Sequence, residues 1–294
     1  MQEKKQDEIQ KQLRKTALEI TLYVAGAGAF GVFFRWLQVM VAFNDLGLVD
    51  RSYLNLLVPG FVLAAAIVFY RFLERDKRLR RFVPEDFVSA LRNDYRFFSF
   101  LTWVAGAILV VGSLALLGKA ETDRLAPLLR TMAILGALSG VSGALLLELA
   151  HRETRQPLLL CLVSLPPVAL FAVWIIYLYR ANSINSVLWS YVPEMLSVAV
   201  VMFAFARIAG FAFGSPKPDR ARFDSMLGAS LCLMCLADDR YLGMQLMLLG
   251  TSMSLMLYNW AMVCNLQHQQ EPEQPKETPQ DGFEHLETEW KQSK

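Results

Sequence analysis

Charged residues are scarce in this chain of 294 residues, since they make up 19% of the sequence while 54% of it is hydrophobic. Soluble domains contain about 25% charged and about 45–50% apolar residues. The composition therefore argues against a soluble domain and indicates a membrane protein. The formal net charge of +2 shows no overall bias, so any electrostatic meaning depends on where the charges lie.

Histidine is scarcer still, with three residues in the whole chain. His268 and His285 lie in the polar C-terminal segment, and His151 lies at the end of an apolar segment. A nucleophile needs a base on a neighbouring element, and zinc needs several His or Cys ligands. No metalloprotease, Walker or dinucleotide-binding motif occurs. We therefore expect no metal, no cofactor and no enzymatic activity.

Long apolar runs dominate the sequence, and a helix needs about 20 mainly apolar residues to cross a bilayer. Eight segments qualify: 17–43, 53–72, 97–117, 126–150, 157–179, 187–213, 223–237 and 241–265. None shows the alternation of a barrel strand. The sequence predicts an all-α polytopic transmembrane bundle of eight spans in four antiparallel hairpins. The first run is too long for a signal peptide, so no cleavage is expected.

Segment 223–237 is the weakest of the eight, because its length falls short of the hydrocarbon core. A start near Pro218 restores the length but buries Asp224. Alternatively, the segment belongs to a re-entrant pair with Asp238, Asp239 and Arg240 at its tip, as in broken helices that line transporter sites. Both interpretations stay open at this point.

Lysine and arginine collect in alternate loops, as they do on the cytoplasmic side of membrane proteins. The basic N-terminus (1–16), the loop 71–96 and the C-terminal tail (266–294) all fall on that side, so both termini are predicted to be cytoplasmic and the bundle to span 17–265 in the plasma membrane. The cluster at 71–81 is expected to contact anionic lipid headgroups. Nucleic acid is not expected, because a loop tethered at both ends is too small for a binding domain.

The loop 71–96 and the tail carry two further patterns. Pro84, Glu85 and Asp86 resemble the start of a short helix on the inner surface or of an extension of the third span. The tail is polar and acidic, so disorder is expected. An apolar stripe in the tail could dock in the groove of a cytoplasmic protein partner. It consists of Phe283, Leu286 and Trp290.

Two short motifs resemble catalytic signatures. Gly140-Val141-Ser142-Gly143 resembles the nucleophile motif of rhomboid intramembrane proteases over four residues, but no histidine lies on another span. We interpret it as small residues that permit close helix packing. Cys232 and Cys235 form a C-x-x-C on one helical face, with apolar and acidic flanks that favour buried thiols.

Polar residues inside the spans are the best candidates for function, because ionisable groups there usually face the bundle interior. The candidate ligand-binding or ion-pair residues are Arg35, Glu194, Arg130, Gln38 and Gln245. Arg35 and Glu194 lie at matching depths of about 10–12 Å, so we predict that they share one buried polar site and pair with each other. Glu19, Glu148 and Arg207 lie near the opposite ends of their spans and are interpreted as structural.

Two functions from different classes fit this pattern. The first is a transporter or binding protein for a small polar or ionic ligand. The second is a non-catalytic subunit, scaffold or sensor that engages partners through the cytoplasmic loop and tail. An intramembrane enzyme is the least favoured alternative.

Overall fold

The computed structural model describes residues 2–42, 56–93, 95–120, 123–154, 156–183 and 191–268. Helices make up almost all of these ranges, as expected. The elements are α1 (Gln2–Ala42), α2 (Leu57–Arg78), β1 (Arg81–Phe82), α3 (Phe87–Leu91), α4 (Arg96–Lys119), α5 (Ala126–His151), α6 (Pro157–Ala181), α7 (Val192–Ala212), α8 (Pro218–Met234), a 3₁₀ turn (Cys235–Ala237), α9 (Leu242–Cys264) and β2 (Gln267–His268). The stripe of Phe283, Leu286 and Trp290 lies outside the described residues.

Seven helices of the described chain are long and apolar enough to cross a membrane, namely α1, α2, α4, α5, α6, α7 and α9. This finding supports a multi-pass membrane protein in a lipid bilayer. Within their most apolar windows, α5 and α9 are 61% and 67% buried, whereas α1 and α2 are 28% buried. The first two helices therefore lie at the periphery of the bundle, and α5 and α9 lie near its centre.

Helix α8 accounts for the difference between the seven helices found and the eight predicted. It has 17 residues and begins with Pro218, whose missing N–H costs nothing in the first turn. This is the earlier of the two starts considered, and it does bury Asp224. Its first half is polar, and both halves are largely buried. Helix α8 is not among the seven helices because it is short and polar. It is not excluded by exposure, since most of it is buried.

The packing order encloses α8. Helices α4 to α9 each contact the next in sequence, and α9 returns to α4. Helix α1 packs along α8 and α9, and α2 contacts α1 and α8. As a result, α8 is surrounded by α1, α2, α7 and α9.

Glycines allow α4 to approach its neighbours closely. A Cβ on Gly106 would lie 2.5 Å from the carbonyl oxygen of Gly140 in α5, and a Cβ on Gly112 would lie 2.8 Å from that of Gly243 in α9. Such distances leave no room for a methyl group, so the small residues set the helix spacing. Gly140 belongs to the four-residue motif, and its surroundings agree with the packing interpretation.

The loop after α2 folds back on the bundle. The carboxylate of Asp86 accepts a hydrogen bond from the Ser89 N–H (3.1 Å) and caps α3, so the short helix starts slightly later than Pro84. The Asn265 amide donates to the Ala90 carbonyl at 3.0 Å. β1 pairs antiparallel with β2, so the tail begins packed against the loop, and residues 269–294 lie outside the described chain.

Candidate functional site

Arg35 lies in the last third of α1 and is buried in the bundle, with 1% of its surface exposed. Its Nε donates to Asp238 Oδ1 at 2.6 Å, and its Nη1 donates to Gln38 Oε1 at 2.7 Å. Gln38 reaches the guanidinium because residues three apart share one face of a helix. A guanidinium in an apolar bundle needs such partners, since an isolated charge there is costly.

Glu194 lies in the first turn of α7, where the helix dipole favours a carboxylate. The side chain is fully buried. Its Oε1 accepts a hydrogen bond from the Trp174 indole of α6 at 3.2 Å, and its Oε2 lies 2.8 Å from Arg240 Nε. These two atoms do not form a hydrogen bond with each other, but the short distance between opposite charges makes the contact an ion pair.

The turn between α8 and α9 brings these two groups together, because it supplies both Asp238 and Arg240. Gln245 on α9 holds the turn by donating to the Asp238 carbonyl at 3.0 Å. The prediction that Arg35 pairs with Glu194 is corrected: Arg35 pairs with Asp238, and Glu194 pairs with Arg240. The two pairs are adjacent and form one cluster, which we call the Asp238 cluster: Arg35, Gln38, Glu194, Asp238, Arg240 and Gln245.

Four of the five predicted site residues thus belong to the Asp238 cluster, and Arg130 does not. Arg130 occupies an exposed position on α5, so it lies apart from the buried charges. Asp238 and Arg240 were not among the predicted site residues, and they were considered only as the tip of a possible re-entrant pair. The signal that could have identified them is the need of each buried ion for a partner of opposite charge.

A cavity of about 440 Å³ opens beside the Asp238 cluster. Its polar lining consists of Tyr177, Asn182, Glu194, Asp239, Arg240 and Tyr241. A second cavity of about 500 Å³ shares Tyr177 with it and is lined by Asp123, Arg124 and Arg180. The Tyr241 hydroxyl donates to Asp123 Oδ2 at 3.0 Å, and this hydrogen bond raises the pKa of the Tyr241 phenol. The end of the bundle near α9's start is therefore concave and polar.

The opposite end of α8 carries a second set of ion pairs, which we call the Asp76 cluster. Asp76 at the end of α2 accepts a hydrogen bond from Arg222 Nη2 at 2.7 Å, and both side chains are buried. Lys77 and Asp219 lie 2.9 Å apart. The cluster is completed by a close pair between Arg207 of α7 and Asp224. Ion pairs therefore hold α8 at both of its ends.

The three charges interpreted as structural all have partners. Glu19 lies 3.8 Å from Arg75, and Arg207 pairs with Asp224. Glu148 accepts hydrogen bonds at 2.9 Å from Ser99 and from Arg152. Each contact joins two helices or two turns of one helix, which fits a structural role.

The four cysteines are free thiols. Cys232 and Cys235 are free and buried, and Ser197 Oγ lies 3.5 Å from the Cys232 sulfur. Among the residues that the structure describes, no group of three or more His, Cys, Asp or Glu side chains is placed to hold a metal ion.

Comparison of the chain with protein-family models, with curated proteins and with solved structures found no match.

Proposed function

We propose that this multi-pass membrane protein binds a small polar or ionic ligand at the Asp238 cluster and carries it across the membrane. The observation that supports this proposal most strongly is Glu194, a fully buried carboxylate that lines a cavity of about 440 Å³. Ligand sites are usually concave, with volumes of about 300–1,000 Å³ and a few convergent polar groups. Ionisable residues inside a bundle usually mark such sites.

The charges of the cavity favour a cation or a zwitterion. Its lining contains two carboxylates, Glu194 and Asp239, and one guanidinium, Arg240. A ligand ammonium group can replace Arg240 beside Glu194, and a ligand carboxylate can accept hydrogen bonds from the released guanidinium. An anion without a positive group would be repelled, because Arg240 compensates Glu194 and leaves the charge of Asp239 unbalanced. The protein acts in this proposal as a binding and transport protein and not as an enzyme.

The proposed topology has eight spans with both termini in the cytoplasm. Helix α8 is the eighth span in this proposal. Two contacts support it: Arg222 meets Asp76 at the end of α2, and Asp238, just after α8, meets Arg35 in the last third of α1. Ion pairs with α1, α2 and α7 offset the polarity of the helix. The Asp238 cluster then faces the outside of the plasma membrane.

Anionic lipid headgroups are the proposed partners of the basic cluster at 71–81. The side chains of Arg71 and Arg78 are 71% and 72% exposed, and both lie near the single carboxylate of Glu74. One acid cannot neutralise both cations, so positive charge remains available next to a span. Each such cation is attracted to an anionic membrane surface by about 1 kcal/mol.

Uptake into liposomes that contain the purified protein tests the proposed function. A panel of small cationic, zwitterionic and anionic amines and acids should include at least one cation or zwitterion that accumulates. Glu194→Gln should abolish that uptake, whereas Glu74→Gln, which makes the same chemical change at a partly exposed position far from the cavity, should leave it intact. No uptake and no saturable binding of any compound, or equal uptake by both variants, would contradict the proposal.

A further inference from the structure

Helix α9 carries a polar stripe along its buried length. Gln245, Ser252 and Asn259 recur at intervals of seven residues, so they share one face of the helix. Ser252 and Asn259 are almost completely buried. Three side-chain oxygens of this region make no hydrogen bond to the described protein: Ser252 Oγ, Asn259 Oδ1 and the neighbouring Thr251 Oγ1.

These orphaned groups differ from the other hydroxyls of the bundle. Ser254, on the same helix, donates to the carbonyl of Gly250 at 2.9 Å, and Ser113 and Ser225 likewise donate to the carbonyl four residues before them. A buried hydroxyl normally has a partner. Where protein supplies none, water or an ion satisfies the group, and such sites lie in polar interiors. Two adjacent hydroxyls and an amide therefore indicate hydration.

The stripe lies beside the contact between α9 and α8. A Cβ on Gly228 of α8 would lie 3.2 Å from Leu255 Cδ1, and Ser252 and Asn259 flank Leu255 on the same face of α9. Together with the bond from Gln245 to the Asp238 carbonyl, this contact fixes the antiparallel register of the two helices.

That register places the stripe between polar groups of α8. Ser252 lies level with Cys232, and Asn259 lies level with Asp224 and Ser225. Cys232 contacts Ser197 of α7. Ser197 in turn follows Glu194 by one helical turn on the same face.

Polar groups consequently recur from one end of α8 to the other. The order is Glu194, Ser197, Cys232 with Ser252, then Asn259 with Asp224. With a rise of about 1.5 Å per residue, Glu194 and Ser197 are about 4.5 Å apart along α7, and the levels of Ser252 and Asn259 are about 10–12 Å apart along α9 and α8. A chain of a few water molecules is needed to bridge the longer gap. Asp224 pairs with Arg207, whose side chain is 28% exposed, so the far end of the series approaches solvent.

We propose that the interface of α8 and α9 is a hydrated pathway for water and small monovalent cations, hydronium included, between Glu194 and Asp224. The two carboxylates can bind a cation or exchange a proton at either end, and the hydroxyls and amide between them hydrogen-bond the water that carries it. The pathway deepens the proposed function, on which its role in coupling rests, by supplying the route of a coupling ion.

Protection of cysteines by Ag⁺ tests the pathway, because this small monovalent cation binds thiolates and needs an aqueous route to reach them. The four native cysteines are replaced by alanine, and Ser252→Cys or Asn259→Cys is added. Thr251→Cys substitutes for any variant that does not elute as a folded monodisperse protein. After exposure to Ag⁺ the protein is unfolded and alkylated with N-ethylmaleimide, and its intact mass gives the protected fraction.

The controls are Met247→Cys and Ala261→Cys, and both native residues are fully buried. Met247 lies against Gly112 of α4 and Gly136 of α5, and Ala261 shares a helix face with Gly250, which packs on α4. We expect Ag⁺ to protect the stripe variants at least about tenfold faster than these controls, because a thiol among apolar groups rarely ionises. Equal rates at stripe and control positions would overturn the pathway. The assay uses no transported ligand, so protection without uptake would contradict only the proposed function, and uptake without protection only the pathway.

Discussion

Arg35 shows how a single residue can retain its charge inside the bundle. Its guanidinium meets Asp238 at 2.6 Å and Gln38 at 2.7 Å, so both its charge and part of its hydrogen-bonding capacity are satisfied. Removing one member of such a pair leaves the other charged and buried, which costs about 3–5 kcal/mol. The buried pair therefore fixes the position of the turn after α8 more strongly than a surface ion pair would.

A double-mutant cycle tests this pairing. Arg35→Gln and Asp238→Asn should each lower the free energy of unfolding by about 3–5 kcal/mol. The double variant should lose less than the sum by about 0.5–3 kcal/mol, because no charge is then stranded. Thermal unfolding of the purified proteins in one detergent gives the differences.

Arg35→Gln combined with Asp76→Asn provides the matched control for this cycle. The substitutions are of the same chemical types, but Asp76 pairs with Arg222 at the other end of α8, so the two losses should add. Additive losses for Arg35 with Asp238, or equal coupling in the two cycles, would contradict the contact.

Sequence reasoning located Arg35 and Glu194 correctly in the interior but assigned them to each other. Their depths along α1 and α7 follow from the ends of the apolar runs, so the buried positions were predictable. Their partners were not, because Asp238 and Arg240 lie in a turn whose depth depends on where α8 starts. A shift of five residues in that start decides whether the turn lies in a loop or beside the buried ions.

At the scale of the element, α4 depends on glycine at its contact with α5. A Cβ on Gly106 would lie 2.5 Å from a backbone carbonyl, whereas a Cβ on Gly60 of α2 would meet nothing within 4 Å. Gly106→Ala should therefore lower the free energy of unfolding by about 1–3 kcal/mol, and Gly60→Ala should not lower it. Thermal unfolding in detergent measures both, and equal midpoints for the two variants would disprove the close contact.

The C-terminal part of α2 should respond to anionic lipid. Adding phosphatidylglycerol to neutral mixed micelles is expected to raise the unfolding temperature, because Arg71 and Arg78 attract its headgroup. The double substitution Arg71→Gln with Arg78→Gln should reduce that increase in unfolding temperature. The control substitution Arg180→Gln should not reduce it, because Arg180 is an exposed cation in the last turn of α6, away from the basic cluster. A lipid effect that survives the double substitution would place the lipid site elsewhere.

The elements themselves were largely predictable. The predicted apolar segments agree with the seven long helices to within a few residues at the majority of the helix ends. The exception was the start of α8, which the apolar segment 223–237 misses and for which Pro218 was only one of the alternatives. Hydropathy does not register the polar residues of a helix when they are paired inside the bundle. The N-terminal half of α8 contains Arg222 and Asp224, which look like loop residues until Asp76 and Arg207 are placed beside them. Pairing partners on distant segments are a tertiary property, and no local pattern encodes them.

For the whole molecule, the account depends on α8 crossing the membrane and placing the Asp238 cluster on the face opposite the N-terminus. Only that arrangement opens the cavity beside Glu194 to the outside and lets the interface of α8 and α9 connect the two faces. The contact of α8 with Asp76 and the contact of the following turn with Arg35 favour this arrangement. If the segment were re-entrant, both of these contacts would lie near one face of the membrane.

Cysteine labelling of intact cells with a membrane-impermeant maleimide measures this arrangement directly. Asp239→Cys, which lies on the exposed turn after α8, should be labelled in intact cells. Asp219→Cys at the other end of α8 should be labelled only after the membrane is opened, and the protein with its native cysteines alone provides the background. Protection of Asp239→Cys in intact cells, or labelling of both positions from the same side, would contradict the account.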